Sequence, residues 1–184
     1  MIDNGNSILP VNHLSQMVPA SSNAFLGEEN FGDQLCWAAC FSMAANYLNL
    51  CPDNRNMMID YAAYVWGDID WNVPLNLSQP RFKKLDIFLH STYETQTYRK
   101  AGTRTPIGLS FDEAKNAIAN GMPVMLGLKR LEGGHAVLAV GINKSGDILY
   151  LDPMDKEKKY HPFTEKNYND TVLEAAVFRI KNQN

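Results

Sequence analysis

The sequence predicts an α+β fold on three observations. Apolar residues spaced by three and four mark helices in the first two thirds of the chain. Short apolar runs separated by turn residues fill the last third, and a strong helix-end signal near Gly121 divides the two patterns. Helices and strands segregated in this way indicate a helical side packed on an antiparallel sheet rather than a parallel α/β sheet.

Taken in order, residues 1–29 mix Asn, Ser and Pro with isolated apolar residues and lack a steady period, so an extended lead-in over a domain surface is expected. Cys36, Ala39, Cys40, Met43, Tyr47 and Leu50 then describe one apolar helix face running to about Asn49, and Pro52 ends it. Two weaker helices are expected at 57–66 and 81–89, separated by a loop at 71–80 and followed by a Thr-rich strand at 93–98. Ser110 and Glu113 have capping-box spacing, Ala114, Ala117 and Ile118 supply the apolar stripe, and Gly121 closes that helix. Strands follow at 124–128, 135–142, 148–151 and 172–180, joined by turns such as Ser145-Gly146-Asp147.

A chain of 184 residues is expected to form one domain, 1–184, with the lead-in at 1–29, a mainly helical part at 30–120 and a mainly β part at 121–184. Its net charge of −3 is scattered, which leaves no field to recruit nucleic acid or an anionic membrane. Lys156, Lys158 and Lys159 are interrupted by Glu157 and read as a solvated turn. No window is apolar enough to cross a bilayer, and Met1 to Asn6 are too polar for a signal-peptide core. Either the protein stays inside the cell or a targeting segment lies outside this sequence. Oligomeric state is not legible.

Three cysteines, Cys36, Cys40 and Cys51, are too few and too clustered for a disulfide framework, and their odd number leaves a free thiol. Cys36 falls in the first turn of its helix, where unpaired N–H groups and the helix dipole stabilise a thiolate. His135, after Gly133-Gly134 and opening an apolar strand, could take a proton from that thiol; the glycines would let other backbone approach closely. Asp152, at the end of the next strand, would reach the imidazole across an antiparallel pair and fix its tautomer. Each residue alone also has a structural reading: a small core hydrophobe, a satisfied core histidine, and a turn-initiating Asp before Pro. Their combination is more specific than any member.

With Cys36-Trp37-Ala38-Ala39-Cys40, Met43, Tyr47, Gly121-Met122-Pro123-Val124, Gly134-His135-Ala136-Val137, Val140-Gly141 and Asp152-Pro153 in this order, the sequence resembles the papain-like cysteine peptidases. Within them it is similar to the bacterial group of AvrRpt2 effectors, staphopains and C39-like proteins. The resemblance implies a papain-like fold with a substrate cleft between the nucleophile helix and the sheet. It implies acyl transfer on a protein or peptide through Cys36, His135 and Asp152, with no metal or cofactor. It also implies an oxyanion-binding glutamine six residues before the nucleophile, where this chain has Asn30; Gln34 has that spacing from Cys40 instead, so the oxyanion donor and the choice of cysteine stay open. A deamidase, a transglutaminase or a leader-peptide peptidase would use the same triad, and a non-catalytic binding module would keep only the cleft. His13, His90 and His161 have no metal-ligand spacing and read as structural, and Trp66, Trp71, Tyr93 and Tyr98 read mainly as core.

Overall fold

The computed structural model describes residues 2–3, 6–17, 35–49, 109–129 and 134–178. Among them an antiparallel sheet is covered by helices on both faces. The elements are β1 (Ile2–Asp3), β2 (Asn6–Ile8), α1 (Cys36–Tyr47), α2 (Phe111–Ala119), β3 (Val124–Lys129), β4 (Gly134–Ile142), β5 (Ile148–Leu151), β6 (Tyr160–Phe163), α3 (Glu165–Thr171) and β7 (Val172–Val177). The helices and strands expected at 57–66, 81–89 and 93–98 lie outside the described residues.

β4 organises the sheet. Its Gly134–Ala139 stretch pairs with β3, which pairs in turn with β7. β5 pairs with residues from Leu138 to Ile142, and β6 adds to β5. Gly141 and Ile142 pair with β5 and with β2, so β2 continues the edge that β3 leaves.

Alternation along β4 serves two cores. Ala136, Leu138 and Val140 pack with α1, while Val137 and Ala139 pack with α2, Phe163, Tyr168 and β7. This explains why β4 is a continuous apolar run, buried from His135 to Gly141, rather than an alternating one.

α1 differs from the one-faced helix expected. Cys36 and every residue from Ala38 to Ala45 are buried, so the helix is covered nearly all round, as its sequence of Ala, Cys, Phe and Met permits. It ends at Tyr47, with Asn49 at a φ of 57°, a left-handed conformation that asparagine tolerates.

α2 starts on the expected reciprocal capping box between Ser110 and Glu113. It ends in a Schellman motif, with Met122 N–H donating to Ala117 O and Gly121, at a φ of 79°, donating to Ile118 O.

The differences have local causes. β6 contains Pro162, which is disfavoured inside a sheet but tolerated here because, among the described residues, β6 pairs only with β5. α3 is short and polar, and a single buried side chain, Tyr168, anchors it by donating to Leu109 O at 2.8 Å. The described part of the 1–29 segment does more than lie on a surface: β2 joins the sheet and Val11 is fully buried in the α1 core. The last strand ends at Val177, and residues 179–180 of its expected span lie outside the described residues.

Of the two glycines expected to allow close backbone approach beside His135, Gly133 lies outside the described residues and Gly134 shows no such approach. A Cβ on Gly134 would meet nothing within 4 Å, whereas a Cβ on Gly141 would lie 3.0 Å from Ser7 O and 3.1 Å from Ile8 Cγ1. Gly141→Ala should therefore push β2 off the sheet and lower stability by about 1–3 kcal/mol, whereas Gly134→Ala should change it by less than about 0.5 kcal/mol. Urea denaturation midpoints of the two variants measure the contrast.

Candidate active site

Cys36 is the first residue of α1, and the residue at the N-cap is Leu35, which has no side-chain acceptor. Leu35 itself therefore caps none of the first-turn amides, and the Trp37 N–H contributes to stabilising the Cys36 sulfur. From the opposite side, β4 delivers the Ala136 N–H to Cys36 Sγ at 3.3 Å. The neighbouring His135 is 3% exposed, and its ring also hydrogen-bonds the Cys36 side chain.

The electrostatics follow from competition. Burial alone pushes the Cys36 thiol up, because a thiolate loses solvation. Hydrogen bonds from His135 and Ala136, the charge of the imidazolium and the Trp37 amide outweigh that loss and hold the thiol below its ordinary range. Cys40, one turn deeper, has the opposite balance: full burial, then the nearby charges of Cys36 and Asp152, push it far up. Both thiols are free. The ambiguity between the two cysteines is therefore one of chemical environment, and the thiolate-stabilising environment is at Cys36.

Asp152 Oδ1 accepts from His135 Nε2 at 2.7 Å and from the Met154 N–H at 2.8 Å. A carboxylate oxygen can only accept, so Nε2 carries the proton and Nδ1 is left for the thiol. The second bond closes a turn around the Asp152 side chain, which fixes the carboxylate. Antiparallel pairing of β4 with β5 brings this acid to the imidazole, as expected.

Asn30 and Gln34 lie outside the described residues. The sequence reading missed Gln16, which is fully buried and whose backbone N–H donates to Pro153 O at 2.8 Å. Among the described residues only Gln16, Ser42 and His135 are buried polar side chains, and two of these three belong to this corner of the molecule. A usable signal was the alternation Leu9, Val11 in the lead-in, which marks an ordered extended segment carrying the glutamine.

Two histidines read as structural have specific partners. His13 Nε2 donates to the Asp152 backbone carbonyl at 3.1 Å, and His161 Nε2 donates to Asp155 Oδ2 at 2.6 Å. Lys158, expected in a solvated turn, donates to Val11 O at 2.6 Å. No cluster of metal-ligating side chains is present among the described residues, and none of their helices is long and apolar enough to cross a membrane.

A family model described as the Peptidase_C39 like family matches residues 8–176. No curated protein matches the sequence.

The opposed environments of Cys36 and Cys40 are directly measurable. Iodoacetamide should label Cys36 in the native protein at pH values below those needed to label unfolded cysteines. As pH falls through the lowered native value, the sulfur protonates and labelling should stop. Cys40 should label only after unfolding, and peptide mapping of the alkylated sites distinguishes the two.

Proposed function

The chain belongs to the Peptidase_C39 like family, and we propose that it is a papain-like cysteine peptidase in which Cys36 is the nucleophile, His135 the acid–base and Asp152 the orienting acid. The observation carrying this reading is the sulfur held between the His135 ring and the Ala136 N–H, with Asp152 at 2.7 Å from the far ring nitrogen.

In this mechanism the Cys36 thiolate attacks the carbonyl carbon of a peptide bond, and the carbonyl oxygen becomes an oxyanion. Collapse of the tetrahedral intermediate breaks the C–N bond, and the His135 imidazolium delivers its proton to the departing amine. The acyl group remains as a thioester on Cys36. His135, now neutral, takes a proton from water, the resulting hydroxide displaces the sulfur, and the carboxylic acid leaves. Asp152 keeps Nε2–H pointed at itself throughout, so the proton traffic runs through Nδ1.

An oxyanion donor completes the reaction. Of Asn30, Gln34 and Gln16, support favours Gln16, a buried side-chain amide tethered beside the acid turn. An amide N–H₂ is the required chemistry, since it donates to the developing negative charge.

Peptide hydrolysis by Cys36→Ala and by His135→Ala should fall to background, a loss on the order of 10⁶-fold, with denaturation midpoints retained. A folded Cys36→Ala protein that still turns over would end this reading. Asp152→Ala should cost up to about 10⁴-fold, and Asp152→Asn less, since an amide oxygen still accepts from Nε2–H.

Removing the oxyanion donor should lower kcat by about 100-fold. Side-by-side kcat values for Gln16→Ala, Asn30→Ala and Gln34→Ala identify it, and full activity in Gln16→Ala would exclude the glutamine favoured here.

A further inference from the structure

Residues 9–17 form a strap that touches both halves of the site. Leu9 N–H donates to Val140 O at 2.8 Å, which ties the strap to β4. Asn12 Nδ2 donates to Asn46 Oδ1 at 3.1 Å, which ties it to α1, the helix carrying Cys36. Val11 is fully buried in the same core cluster as Cys36, and its carbonyl accepts from Lys158.

The strap then runs beside the acid turn. Pro153 O accepts from the Gln16 N–H at 2.8 Å and from Ser15 Oγ at 3.2 Å. Asp152 O accepts from His13 Nε2 at 3.1 Å and from the Asp155 N–H at 3.1 Å. Consecutive carbonyls of the turn are thus each held twice, and one donor of each pair or more comes from the strap.

This arrangement bears on the chemistry because the Asp152 carboxylate has little freedom of its own. Its Oδ1 is fixed to the Met154 N–H of the same turn, so the carboxylate moves with the 152–154 backbone. Whatever sets that backbone sets the distance from Asp152 to His135. Among the strap–turn hydrogen bonds named above, the one from the His13 ring goes to Asp152 itself.

We propose that His13 is a positioning residue, which acts through the Asp152 backbone carbonyl to hold the carboxylate on His135. The proposal rests on the triad reading given above. His13 does not touch the sulfur or the reacting atoms; it acts on the acid that orients the base.

The test is a mutant cycle on the full chain, read by the pH dependence of Cys36 alkylation with iodoacetamide, which needs no peptide substrate. The set is wild type, His13→Leu, His13→Gln, Asp152→Ala and His13→Leu with Asp152→Ala, with denaturation midpoints measured on each. Asp152→Ala should move the alkylation midpoint upward, because the imidazolium paired with the thiolate loses its carboxylate. His13→Leu should move it in the same direction, by up to about one pH unit or tenfold in rate at fixed pH, and His13→Gln, which keeps an N–H donor, should restore it. The double variant should match Asp152→Ala alone, since a residue acting through Asp152 has nothing left to act on.

A purely structural His13 would lower the denaturation midpoint but leave the alkylation profile in place. An unchanged profile in His13→Leu while Asp152→Ala shifts, or shifts that add in the double variant, would overturn the proposal. Failure of the peptidase reading is separate: wild type would hydrolyse no peptide although the alkylation cycle keeps its non-additive form.

Discussion

The packing of α1 across the start of β4 is the constraint on which the rest depends. Cys36 and Ala136 are one hundred positions apart, yet the amide of one touches the sulfur of the other. That contact needs β4 to be buried and held on both sides, so that His135 and Ala136 present themselves at a fixed height against the helix terminus. β3, β5 and β2 supply this by pairing along β4, and the two apolar cores supply it by filling both faces. The small residues of α1, Ala38, Ala39, Ala44 and Ala45, let the helix settle close to the sheet.

Placing a thiolate in such an interface is unfavourable on solvation grounds alone, and directed N–H groups offset this. Cys36 and Cys40 make the point as an internal comparison, since they share a helix, a side chain and burial in one core. Only at the helix terminus are the donors present. Four residues further in, the backbone N–H groups are committed to the helix, and burial dominates. The contrast between the two thiols comes from position within the helix and from what β4 brings to it.

The acid is held by different means. Asp152 follows β5 rather than lying within it, so no ladder fixes it. Its own turn fixes the carboxylate, and the 9–17 strap fixes the turn. The strap also meets β4 and α1, so the three elements that carry sulfur, imidazole and carboxylate share one extended segment. This gives the N-terminal segment a role in the site beyond covering surface.

The sequence by itself determined the α+β class, the helix starting at Cys36, the capped helix ending at Gly121 and the strands at 135–142 and 148–151. These are written in local spacing: helical periodicity, Ser110 with Glu113, and apolar runs between turn residues. It also placed Cys36 at a helix start, His135 at the opening of a strand and Asp152 at the end of the next, because all three are local features. Tertiary structure alone decided what those residues experience: that α1 is buried all round, that β2 enters the sheet, and that Gln16 and His13 gather at the acid turn. Gln16 and Pro153 lie far apart in the chain, and a hydrogen bond between such residues leaves no mark on spacing. β6 and α3 were missed because Pro162 and a polar composition argue against them locally, while pairing with β5 and the burial of Tyr168 favour them through contacts that only the folded chain makes.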